Sequence, residues 1–173
     1  QAAEIGLRQQ IIAGAVIVWA ARLGPFLFRR IQKAGEDRRF RKIKLSTPRF
    51  LVTWTLQGTW VFLTAGAALA AILTPNKAPL GTLFYFGAVI WVLGFAIEVI
   101  ADSQKSAFKA DPANENKFIT SGIWARAQHP NYFGEILLWA GVAVMALPSL
   151  SSSAMIFLIS PVFVTVLLTR ISG

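Results

Sequence analysis

The 173-residue sequence has no cysteine and a single histidine, His129. Disulfides, thiolate metal sites and cysteine nucleophiles are therefore excluded, and so is a metal held by clustered imidazoles. Charge is scarce too: 14% of residues are Asp, Glu, Lys or Arg, against about a quarter in an average soluble domain. The sequence contains no GxGxxG or Walker-type loop, which removes the familiar soluble nucleotide folds. It shows no internal repeat and no Ser/His/Asp set. No basic n-region precedes the first apolar block and no small-residue cleavage site follows it, so a signal peptide is not expected.

What the chain does have is apolar residues, 55% of the total, gathered in five long blocks. Each block approaches or exceeds the ~17–25 residues that span a hydrocarbon core. Lipid offers no partner to unpaired backbone groups, and Leu-, Ala- and Val-rich blocks of this length do not read as barrel strands. The expected fold is all-α: one membrane domain over residues 1–173, a polytopic integral helical bundle of about five transmembrane helices. The expected helices run from about Ile11 to Phe28 (or from nearer Ile5), Phe50 to Leu73, Leu80 to Ala101 with a polar extension toward Ala110, Pro130 to Leu147, and Ala154 to Thr169. The start at Gln1 and the stop at Gly173, directly after an apolar block, suggest a processed or partial chain.

The net charge of +9 does not point to nucleic acid, because nine of the 17 basic residues lie between Arg29 and Arg49, flanking an apolar block as membrane-bordering segments do. Two helices separate this stretch from the loop that carries Lys105, Lys109, Lys117 and Arg126. The opposite connections hold only Lys77. Both basic segments are therefore expected on the cytoplasmic or equivalent side, with the bilayer as partner. The membrane itself is not identified.

Three groups of residues could carry chemistry. Glu98, Asp102, Lys105 and Lys109 follow spacings of four, three and four, and so share one helical face. Glu98 follows a long apolar run; a charge at that depth costs ~2.5–3.5 kcal/mol on insertion scales and calls for a partner inside the bundle. The alternative is an interfacial stripe with lysines reaching the headgroups. The second group is His129-Pro130-Asn131-Tyr132-Phe133-Gly134-Glu135. Proline suits a first helical position, free N–H groups there favour an anion, and Asn131 and Glu135 lie one turn apart. Gly134 would allow a close approach of backbone or ligand. The plainer reading has His129 and Asn131 capping the helix and Glu135 paired with Lys105 or Lys109. The third group is Arg22 with Arg38 and Arg39, forked donors suited to phosphates or equally to lipid headgroups. The tryptophans read as packing and interfacial anchors, Trp124 and Trp139 standing nearest the second group. No metal site is expected.

Taken together, Asp102-Ser103-Gln104-Lys105, Phe118 with Gly122 and Trp124, and His129-Pro130-Asn131-Tyr132-Phe133-Gly134-Glu135 with Trp139 and Gly141 resemble the DUF1295 branch of the steroid 5α-reductase-like membrane enzymes. The run Gly35-Glu36-Asp37-Arg38-Arg39-Phe40 fits the same branch, and the similarity covers nearly the whole chain. The resemblance implies NADPH as cofactor and hydride transfer to a polarised C=C bond of a hydrophobic small molecule such as a steroid, enone lipid or isoprenoid. It implies cofactor contacts from Asp102, Asn131 and Glu135, with Glu98, Lys105 and Lys109 at or near such positions. Arg22, Arg38 and Arg39 would serve the phosphates, and Tyr132 fills the motif's aromatic position. The catalytic acid is not placed. The branch commonly shows Ser-Arg-His-Pro where this chain has Ala127-Gln128-His129-Pro130, and the family's C-terminal segment that closes the cofactor pocket is not found beyond Gly173. Two alternatives stand beside the reductase: an S-adenosylmethionine-dependent methyltransferase on the related isoprenylcysteine carboxyl methyltransferase-type scaffold, and a non-catalytic integral subunit of a larger membrane complex.

Overall fold

The computed structural model describes residues 5–34, 43 and 45–171. Four long helices and a composite fifth follow one another: α1 Leu7–Ala34, α2 Thr47–Leu73, α3 Thr82–Ala110, α4 Pro130–Ala146 and α5 Ser160–Val166. All five apolar segments are long enough to cross a membrane, the fifth by counting Ser153–Arg170 as one span. The chain is a multi-pass integral membrane protein. Large side chains such as Leu51, Trp54 and Phe62 of α2 and Tyr85, Val89 and Val92 of α3 lie on the outer surface. In water that would be a liability; against lipid it is the contact surface.

Helix starts follow the sequence signals. Pro48 and Pro130 occupy the first turns of α2 and α4, where a missing N–H costs nothing. The fifth span differs from the expected single helix over Ala154–Thr169. It begins as a 3-10 stretch over Ser153–Ile159, becomes α5, and ends in a π turn over Leu167–Ile171. Pro161 is the physical reason for the first change: it has no N–H to donate to the preceding turn, and the Ser160 N–H closes the tighter bond to the Phe157 carbonyl instead.

Helices α3 and α4 pack tightly against each other because glycine faces glycine at two levels. Gly87 and Gly94 are seven residues apart, as are Gly134 and Gly141. A Cβ on Gly87 would come 2.7 Å from the Gly141 carbonyl oxygen, and one on Gly94 would come 2.7 Å from that of Gly134. The pairing is antiparallel, which sets the polar end of α3 beside the start of α4. Small residues let backbones approach where lipid supplies no hydrophobic drive for association. Trp139, Leu138, Val142 and Met145 of α4 form the centre of the core, joined by Ile12 of α1, Ala67, Ala68 and Ala71 of α2, and Val164 of α5.

Candidate functional site

The polar face of α3 enters the bundle where α1 and α4 flank it. Glu98 and Asp102 are both buried. Arg22 of α1 reaches between them, Nη1 bonding the Glu98 carboxylate and Nη2 that of Asp102. The guanidinium also lies 5.3 Å from the ring centroid of Phe26. A forked cation bridging two acids one turn apart is the partner that a carboxylate at this depth requires. Arg22 is thus engaged by carboxylates, a contact that the sequence reading, with its eye on phosphates, did not foresee.

Across the α3–α4 seam stands Glu135, close enough to Glu98 for the two carboxyls to interact. Its oxygens accept from two indoles, Trp19 Nε1 at 3.1 Å and Trp139 Nε1 at 2.9 Å. The two indole rings meet edge to face with centroids 5.0 Å apart. Glu135 is therefore held between α1 and its own helix, not by Lys105 or Lys109 as the plainer reading had it. Gly134 makes the arrangement possible: a Cβ there would come 2.7 Å from the Glu98 backbone nitrogen and 3.0 Å from Glu98 Cβ. The approach that this glycine permits is that of the neighbouring helix.

Two buried oxygens here accept from no donor in the structure: Glu98 Oε2, whose carboxyl neighbours that of Glu135, and Asn131 Oδ1. Asn131 does not cap the helix, and His129, at the cap position, makes no side-chain cap bond. The His129 ring instead stacks on Tyr132, with centroids 4.8 Å apart and planes within 13°. Buried unpaired acceptors cost roughly 1–3 kcal/mol each, so each of these calls for a donor.

The stripe on α3 divides beyond Asp102. Lys105 places its ammonium 4.6 Å from the Trp124 ring centroid, whereas Lys109 is exposed. The loop after α3 folds back on this extension: Trp124 Nε1 donates to the Ala101 carbonyl at 3.0 Å and the Ile123 N–H to Gln104 Oε1 at 3.1 Å. Gly122, at φ +61°, permits that return. Arg38 and Arg39 lie outside the described residues. The structure thus brings together Arg22, Glu98, Asp102 and Glu135, sets Asn131 and Tyr132 at the α4 entrance, and adds Trp19, which the sequence reading left among the anchors. Its position three residues before Arg22, on the same face of α1, was the available signal.

A family model described as a protein of unknown function (DUF1295) matches residues 1–173. Among curated proteins, the chain is 26% identical over 84 residues to a probable O-methyltransferase, ustE, of Ustilaginoidea virens, covering 49% of this chain and 30% of that protein. It is 37% identical over 62 residues to the steroid 5-alpha-reductase DET2 of Gossypium hirsutum, covering 36% of this chain and 24% of that one. The matched stretches span less than a third of either relative. No solved structure matches the chain with significance.

Proposed function

The chain belongs to the DUF1295 family, and from that footing we propose that it is a membrane-embedded reductase that uses NADPH to saturate a C=C bond of a lipid-like substrate such as a steroid, enone or isoprenoid. The observation that carries the reading is the pair of unpaired acceptors, Glu98 Oε2 and Asn131 Oδ1, buried beside the indole-held Glu135. A carboxamide N–H₂ is a donor group that fits such acceptors. The likeness to a steroid 5-alpha-reductase over 62 residues supports the same choice.

In this reading NADPH supplies the hydride. Asn131, Glu98 and Glu135 orient the nicotinamide end, with Asp102 nearby, and Tyr132 lines the entrance. Arg22 fixes the Glu98 and Asp102 carboxylates in place, so its effect on the cofactor is one of positioning. Lys105, Lys109, Arg38 and Arg39 serve the phosphates.

The likeness to a probable O-methyltransferase makes S-adenosylmethionine the rival ligand. Thermal shift of the purified protein with each cofactor separates the two, since a ligand that binds the folded state stabilises it by about 2.7 kcal/mol at a hundredfold excess over Kd. Stabilisation by NADPH that is lost in Asn131→Ala and Glu135→Ala supports the reductase. Stabilisation by S-adenosylmethionine alone transfers the site to methyl transfer. No response to either cofactor leaves the non-catalytic subunit.

A further inference from the structure

The end of the bundle remote from Arg22 carries a second concentration of charge, which the proposed reaction does not use. Arg8, in the first turn of α1, is 3% exposed. Its Nε donates to the Ala78 carbonyl at 3.2 Å, Nη1 to that of Met145 at 2.5 Å, and Nη2 to that of Pro79. The guanidinium also lies 5.2 Å from the ring centroid of Phe84. These contacts tie α1 to the α2–α3 connection and to the end of α4, but none supplies a negative charge. Of the five N–H donors of a guanidinium, three are used, and each Nη keeps one. Among the described residues the ion pairs are those of Arg22, so Arg8 has no acid beside it there.

Arg8 forms part of the wall of a cavity of about 260 Å³, with Gln9, Asn76, Lys77 and Pro79 around it. The lining holds two cations and no acid. Gln9 is already committed, its Nε2 to the Ile72 and Thr74 carbonyls and its Oε1 to the Gly6 N–H, so it braces the wall. Lys77 projects from the α2–α3 connection and is exposed. The cavity lies between the start of α1 and the α2–α3 connection, at the rim of the spans. A guanidinium taken out of water without a counter-charge is costly, and an anion entering at the rim would remove that cost.

We propose that this cavity is a phosphate-binding site, in which the free N–H groups of Arg8 and the ammonium of Lys77 hold the oxygens of an anionic phosphate group. That group can come from a phospholipid headgroup or from free phosphate. Both sources share the chemistry of forked N–H donation to phosphate oxygens.

The test uses the purified chain in nanodiscs of phosphatidylcholine, with added phosphatidylglycerol in one arm and added inorganic phosphate in the other, read by melting temperature. Lys77→Glu removes one cation at an exposed position, and Lys117→Glu makes the same charge change at an exposed position of the opposite end. The expected result is a rise in Tm with phosphatidylglycerol, whose half-saturating level increases about tenfold or more in Lys77→Glu and stays put in Lys117→Glu. A rise in the phosphate arm with the same dependence on Lys77 identifies free anion as the source. No rise in either arm, or equal loss in the two variants, overturns the site.

Discussion

The Arg22 guanidinium of α1 is bonded through Nη1 to the Glu98 carboxylate of α3, and through Nη2 to Asp102 one turn further along. One cation thereby bridges two buried acids from a different helix. Removing it would leave both acids without a counter-charge, so Arg22→Leu is expected to lose roughly 3–5 kcal/mol of stability. Arg22→Lys keeps the charge but not the fork and should recover only part. The triple variant Arg22→Leu, Glu98→Gln, Asp102→Asn should regain much of the loss, because no charge is then stranded. Thermal melting in detergent reads all three. A single Arg22→Leu that melts like the parent would show that the bridge contributes nothing.

The glycine crossings predict a contrast along the chain. A methyl group at Gly94 would come 2.5 Å from the Leu138 backbone nitrogen, and one at Gly134 2.7 Å from that of Glu98. Backbone atoms cannot turn aside as a side chain can, so Gly94→Ala and Gly134→Ala should each cost about 1–3 kcal/mol or more through forced separation of α3 and α4. Gly14 of α1 and Gly58 of α2 have nothing within 4 Å of the added carbon. There the helix preference for alanine governs, and Gly14→Ala and Gly58→Ala should be neutral or stabilising by up to about 1 kcal/mol. The same melting assay ranks the four.

The number and placement of spans were legible in the sequence because hydrophobic length is a one-dimensional property, written in the chain order. The shared face of Glu98 and Asp102 was legible for the same reason, as helical spacing fixes it. What spacing could not show was the third helix. Arg22 stands 76 residues before Glu98 and Trp19 stands 116 before Glu135, so their meeting depends on how α1 crosses the α3–α4 pair. The α3–α4 contact itself rests on Gly94 and Gly134, and of these the sequence marked Gly134 as a place of close approach for backbone or ligand. Lys105 and Lys109 continue the stripe in sequence, yet the loop bearing Trp124 folds back and draws Lys105 to itself. The break in the fifth helix falls at Ser160-Pro161, inside an apolar run that reads by hydropathy as one continuous span.

Glu135 accepts from two indole donors, which predicts coupled effects. Trp19→Phe and Trp139→Phe each take away one N–H while keeping an aromatic ring in the core, at an expected cost of about 1–3 kcal/mol. Both donors serve one carboxylate, so the double variant should depart from the sum of the singles by about 0.5 kcal/mol or more. Exact additivity in a thermal or denaturant series would mean that the two contacts are independent. In the reductase reading, each single variant should also weaken NADPH, since Glu135 is then free to turn from its working position.

Asn131 offers the cleanest separation of folding from binding. Its Oδ1 is buried without a partner, so truncation in the free protein breaks no bond made by that atom and relieves an unmet acceptor. Asn131→Ala should therefore leave the ligand-free melting temperature unchanged or slightly higher, within about 0.5 kcal/mol. In the reductase reading its affinity for NADPH should fall about tenfold or more, the equivalent of about 1.4 kcal/mol, because there the lost acceptor meets a donor of the cofactor. A helix-capping or purely packing asparagine would behave the other way, losing stability and leaving binding untouched. Measuring both quantities on one preparation decides between the two: a stable variant that binds poorly assigns the amide to the ligand, and an unstable one that binds normally returns it to the scaffold.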